Sequence, residues 1–140
     1  MIPCGSLRGD FPIRYREGNK KTPVLEGRTM KLLGFLDPKA IVTDLDDCSK
    51  DEVIRRLVDA AVATSGIPVE NTENIVEQVL AREAKGSTGL GGGVALPHVK
   101  GTDDVHQLCG AFGRSDTGID YNAVDGRPVH VLFLILSPKD

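Results

Sequence analysis

Few residues of this chain have real chemical reach. His98, His106 and His130 are its histidines and Cys4, Cys48 and Cys109 its cysteines. Residues 86–93, Gly-Ser-Thr-Gly-Leu-Gly-Gly-Gly, hold five glycines in eight positions. Several chemistries can be tested against this set. A nucleotide phosphate loop needs GxxxxGK[ST], whose Lys reaches the terminal phosphates; no Gly-Lys-Ser/Thr follows here. The dinucleotide pattern GxGxxG fails too, because Gly89-x-Gly91 meets Val94 where the third glycine belongs. The run also follows a helical pattern and precedes an apolar one, the reverse of either fingerprint. His98, His106 and Cys109 match no compact zinc spacing and lack a second anchoring pair, so no metal is expected. Ser87 lies in Lys-Gly-Ser-Thr-Gly, which is not the GxSxG of a strand-to-helix nucleophile turn.

A nucleophilic histidine remains. Imidazole has an ordinary pKa of about 6.5, so its neutral form is available near pH 7. It can take up a phosphoryl group and release it again. Such a site needs one ring nitrogen facing solvent, the other donating to a carbonyl to fix the tautomer, and nearby donors to balance the phosphoryl oxygens. It must also leave little room for water. His98, after Val-Ala-Leu-Pro and beside a glycine run rich in N–H groups, has the setting for the first three. Arg82 comes within reach if residues 86–93 double back, and Ser87, Thr88 and Gly89 add donors. The residues alone leave blander readings open. A histidine after proline is often an idle surface group, Arg82 suits a helix C-terminus, and the glycine run can be a linker.

These groups need elements to hold them. Ser49 with Glu52 forms a capping box, and Val53, Ile54, Leu57, Val58, Ala61 and Val62 recur on one face behind it. Gly66 and Pro68 end that helix. A second helix is expected over Thr72 to Ala84, with Ile75, Val76, Val79 and Leu80 as its stripe. The glycine run is expected to be irregular, with the backbone in unusual dihedrals. Strands are expected at 94–96, closed by Pro97, at 107–112, and at 129–137, the last almost continuously apolar and suited to burial on both faces. Asp116-Thr-Gly and Asp125-Gly-Arg read as turns. Helices flank strands, so the fold class is an α/β or α+β sandwich.

Composition narrows the function. The 140 residues carry a net charge of −3, with 40% hydrophobic and 26% charged residues, which fits one domain with a real core. An acidic balance argues against nucleic-acid binding. Residues 1–29 hold six Lys/Arg and three acids, +3, leaving −6 for residues 30–140. Residues 1–29 are read as a flexible leader and 30–140 as the domain, with Met30 a sensible start. Three scattered cysteines without CxxC make no disulfide framework and fit a reducing compartment. No apolar run of about 18 residues exists and no signal h-region, so the expected location is the cytoplasm, without direct membrane insertion.

One segment has a precise likeness. The run Leu80-Ala-Arg-Glu-Ala-Lys-Gly-Ser-Thr-Gly-Leu-Gly-Gly-Gly-Val-Ala-Leu-Pro-His98 resembles the active-site segment of phosphotransferase-system enzyme IIA domains of the fructose/mannitol type (type 2), including the nitrogen-regulatory branch. Weaker likeness extends from about Leu33 to the end, notably Asp120-Tyr-Asn-Ala-Val-Asp-Gly-Arg-Pro-Val129. The resemblance implies a mixed sheet sandwiched between helices. It implies that His98 is the phosphoryl acceptor and Arg82 the arginine that stabilises the phosphohistidine, with no cofactor. The implied donor is an HPr-type phosphocarrier, and the implied acceptor an enzyme IIB cysteine in fructose- or mannitol-class sugar uptake. In the nitrogen branch it would be a kinase or transporter bound according to phosphorylation. Two departures stand out. Val99 replaces the usual small residue after the histidine, and a β-branched side chain there is expected to crowd the donor. The family also continues past its apolar strand into further helices carrying a second, assisting histidine; residues 30–140 are therefore read as C-terminally incomplete, with the apolar strand left uncovered.

Overall fold

The computed structural model describes residues 34–139. The expected leader, the Met30 start and Cys4 lie outside the described residues. From Leu36 onward the chain makes a short 3-10 turn (Pro38–Ala40) capped by the Asp37 carboxylate, then strand β1 (Ile41–Val42). Helix α1 (Lys50–Thr64) begins at the expected box: Ser49 Oγ accepts from Glu52 N at 3.3 Å, and Glu52 Oε2 accepts from Ser49 N at 2.7 Å. Such a cap is worth about 1 kcal/mol. All six residues of its apolar stripe are buried, and Gly66, at φ +67°, carries the chain out of the helix. Helix α2 (Thr72–Ala84) has the expected bounds and buries Ile75, Val76 and Val79, but also Glu83.

Five more strands follow: β2 (Gly89–Gly91), β3 (Val94–Ala95), β4 (His98–Thr102), β5 (Cys109–Ile119) and β6 (Val129–Pro138). Among the described residues they form one mixed sheet in the order β1-β5-β6-β3-β2, with β4 following β3 along the same edge of β6. β5 and β6 are antiparallel; β1 runs parallel to β5, and β3 and β4 parallel to β6.

The strand before Pro97 spans Val94–Ala95, and β4 resumes beyond the proline in the same register, with Ala95 opposite Leu132 and His98 opposite Ile135. Proline lacks only the N–H; its carbonyl still accepts from Ile135 N at 3.0 Å. Asp116-Thr-Gly is not a turn between elements but lies inside β5, where the register with β6 shifts between Arg114 and Ile119. The glycine run is not wholly irregular: Gly89–Gly91 pairs antiparallel with Val94–Ala95. The hairpin needs glycine at its tip, where Gly92 has φ +65°, and at Gly89, where a Cβ would lie 2.7 Å from Ala123 Cα.

The core lies on one face. Leu132, Leu134 and Leu136 are 0–1% exposed and cluster with the α1 and α2 stripes, Ala95, Val99 and Ala111. Burying each leucine contributes roughly 1.5–3 kcal/mol. The alternate residues of β6, Val131, Phe133 and Ile135, are only half-buried on the opposite face. There Phe133 meets Phe112 edge-on, with ring centroids 5.0 Å apart. Among the described residues, helices thus cover one face of the sheet, not both. Cys109 is a free, buried thiol. No described helix is long and apolar enough to cross a membrane.

Candidate functional site

His98 opens β4, and its pairing with Ile135 puts it on the open face. Its ring is half-buried, and Nδ1 lies 2.9 Å from the Leu96 carbonyl oxygen. A carbonyl can only accept, so Nδ1 carries the proton and Nε2 holds the lone pair. The fixed tautomer expected for a phosphoryl acceptor is therefore present, supplied by the residue just before Pro97.

Around that ring the chain gathers cations. Arg82, in the last turn of α2, Lys85 and Lys100 line with His98 a cleft of about 410 Å³. Arg82 and His98 also border a larger, more apolar cleft of about 1010 Å³, which Leu90, Leu96 and Ile135 help to line. The glycine run doubles back through the pairing of Gly89–Gly91 with Val94–Ala95, and Arg82 donates to the Gly86 carbonyl at 2.9 Å at the end of α2. Ser87 and Thr88 line the larger cleft with Arg82 and His98, and their hydroxyls are engaged within the protein. Thr88 is buried, and its hydroxyl bonds the Glu83 carboxylate and lies 3.1 Å from the Tyr121 hydroxyl. Ser87 Oγ donates to Tyr121 O at 3.4 Å and accepts from Gly89 N at 3.1 Å. These groups bind the loop to itself and to residue 121, while Arg82, Lys85 and Lys100 surround His98.

Beneath the loop lies a polar network that the sequence pattern did not single out. Glu83, 7% exposed, accepts from Thr88 N at 3.1 Å, from the Thr88 hydroxyl and from the Tyr121 hydroxyl at 2.9 Å. Lys50 Nζ lies 2.9 Å from its other oxygen and 4.3 Å from the Tyr121 ring centre. Burial pushes the Glu83 carboxyl up, but the bonds from Thr88, Lys50 and Tyr121 outweigh it and hold it below the ordinary carboxylate range. Burial raises the Tyr121 hydroxyl far above its usual range. A signal was available: Glu83 is four residues after Val79 and seven after Val76, in phase with the apolar stripe of α2.

The remaining histidines stand apart. His130 Nδ1 lies 3.0 Å from Ser115 O, and the ring borders neither cleft that holds His98. His106 and Cys109 border a separate cavity of about 130 Å³. Among the described residues no three His, Cys, Asp or Glu side chains gather as a metal site. Val99 pairs with Leu136 and packs in the core, and it also lines both clefts that hold His98.

Comparison with known proteins gives this geometry a family. Residues 34–140 match the family model described as phosphoenolpyruvate-dependent sugar phosphotransferase system, EIIA 2. The chain belongs to that family, whose members are phosphotransfer components. It is 36% identical over 110 residues to the fructose-specific EIIABC component of Bacillus subtilis, covering 79% of this chain but only 17% of that protein. It is 34% identical over 110 residues to a nitrogen regulatory protein of Bradyrhizobium diazoefficiens, covering 79% and 69% of the two chains. The crystal structure of nitrogen regulatory protein IIA-Ntr from Neisseria meningitidis superposes with a TM-score of 0.67 at 33% identity, over 76% of this chain and 70% of that one. IIA mannitol from Escherichia coli superposes with a TM-score of 0.61 at 20% identity, over 74% and 72%, a likeness of fold.

Proposed function

We propose that His98 is a phosphoryl relay residue. Nε2 attacks the phosphorus of a phosphohistidine on an HPr-type carrier. The new Nε2–P bond forms as the carrier's N–P bond breaks, and the carrier nitrogen leaves with the electron pair. In the second step a cysteine thiolate of an enzyme IIB component attacks, and His98 leaves as neutral imidazole. Its acceptor chain serves sugar uptake of the fructose/mannitol class, and both partners meet this chain in the cytoplasm. The observation that carries the reading is the Nδ1–H bond to Leu96 O, which leaves Nε2 as nucleophile in a cleft shared with Arg82, Lys85 and Lys100. Those cations favour the charge of the transferring group, so neither metal nor nucleotide is required. Incubation with phosphorylated carrier gives an acid-labile adduct on His98. Equal labelling of His98→Ala would overturn the reading.

A second reading has its own support. Several relatives are named nitrogen regulatory proteins, at 31–35% identity. In this reading the chain binds kinases or transporters according to whether His98 is phosphorylated. Pull-downs with His98→Ala and His98→Asp then recover different partners or affinities; identical sets exclude phosphorylation control.

A further inference from the structure

Between Glu83 and His98 runs a continuous line of hydrogen bonds. The Glu83 carboxylate takes both the N–H and the hydroxyl of Thr88. The Thr88 carbonyl accepts from Leu96 N at 3.0 Å. The Leu96 carbonyl then accepts from His98 Nδ1 at 2.9 Å. No proton moves along this line. It fixes orientation.

The line matters because of Pro97. The carbonyl that holds the imidazole belongs to the Leu96–Pro97 peptide, which has no N–H for the sheet to hold. The bond from Leu96 N to Thr88 O sits one peptide before that carbonyl, and the pairing of Pro97 O with Ile135 N one peptide after it. The second constraint belongs to the sheet ladder. The first depends on where the glycine-rich loop is held: Glu83 anchors it at Thr88, while Val124 N on Gly89 O at 3.1 Å and Gly92 N on Asp125 Oδ2 at 3.0 Å anchor it further on.

We propose that Glu83 is a positioning residue, which sets the tautomer and orientation of His98 through Thr88 and Leu96. This rests on the reading of His98 as phosphoryl acceptor only for its functional consequence; the tautomer itself can be measured without a donor protein. Glu83 is rigid enough for the task. Tyr121, Lys50 and Thr88 occupy both of its oxygens, and it is almost fully buried. Loss of its charge frees Thr88, and with it the acceptor of Leu96 N.

The test is nitrogen-15 NMR of the histidine rings in the full chain, together with the initial rate of labelling by phosphorylated carrier. In the native chain His98 is present as the Nδ1–H tautomer. In Glu83→Gln both tautomers are populated, and labelling slows roughly 10-fold, as when an orienting partner of a functional histidine is lost. Asp46→Asn is the control for mere destabilisation. Asp46 holds Ser115 and Thr117 and borders neither cleft at His98. It leaves tautomer and rate unchanged. If Glu83→Gln does not fold, Thr88→Val removes the hydroxyl bond and Thr88→Ser retains it; the first mixes the tautomers and the second restores the native one. A folded Glu83→Gln or Thr88→Val with only the Nδ1–H tautomer and the native rate overturns the proposal. Labelling undiminished in His98→Ala would instead overturn the relay function and leave the tautomer measurement to decide the role of Glu83.

Discussion

Along β6, neighbouring side chains live in two environments. Leu132, Leu134 and Leu136 are sealed under α1 and α2, while Val131, Phe133 and Ile135 lie half-buried on the face those helices do not cover. The same alternation runs across β4: Val99 joins the core and His98 stands beside Ile135 on the open side. One face therefore carries the packing that specifies the fold, and the other presents His98. A single strand serves both, so the site inherits rigidity from the core through Val99.

The sharpest way to break this contrast is a pair of truncations. Leu134→Ala is expected to cost about 2–5 kcal/mol in chemical denaturation, as buried leucines do. Phe133→Ala, one residue away, should cost clearly less; equal costs would mean that the open face is covered in solution. Arg82→Gln probes the reactive side. Phosphoryl transfer to His98 should fall by roughly 100-fold, with the melting temperature nearly unchanged. A parallel loss of stability would show that Arg82 serves the helix end more than the phosphate. Gly113→Ala returns to the covered face. Its Cβ would lie 2.6 Å from Leu45 Cδ1 and 2.9 Å from Leu57 Cδ2, so roughly 1–3 kcal/mol of overpacking is expected, without change in the labelling rate.

The smallest effect concerns pH. Glu83 is held below its ordinary value of 4.5, so the folded state favours its ionised form. The resulting stability is fully present above about 4.5 and is lost as pH falls through the folded value. A stability profile of the native chain should decline in that acid range more steeply than that of Glu83→Gln. Parallel profiles would show that other carboxylates govern the acid limb.

Much of this was legible in the residues. Both helices follow from the capping box and from stripes spaced by three and four, signals that depend on local spacing alone. One ordered motif singled out His98 and Arg82, and the two residues line both clefts together. What was hidden depends on partners distant in sequence. β1 is two residues long and exists because β5, some seventy residues later, offers it an edge. Asp116-Thr-Gly has turn chemistry, yet pairing with β6 and the bonds of Ser115 and Thr117 to Asp46 keep it inside a strand. The role of Thr88 was hidden in the same way, since its hydroxyl is claimed by a carboxylate that looked like a helix-end charge.

The place of β6 in the chain has a consequence for biosynthesis. It is the last of the described strands to be synthesised, yet β3, β4 and β5 all pair with it. Until it emerges, the hairpin of glycines, the histidine strand and the long β5 have no central partner, and only α1 and α2 can form from local signals. Folding must therefore wait for nearly the whole described chain, and its rate should be limited by closing these long loops. During translation the nascent domain is a pair of helices trailing unpaired strand edges, a natural client for a chaperone near the ribosome.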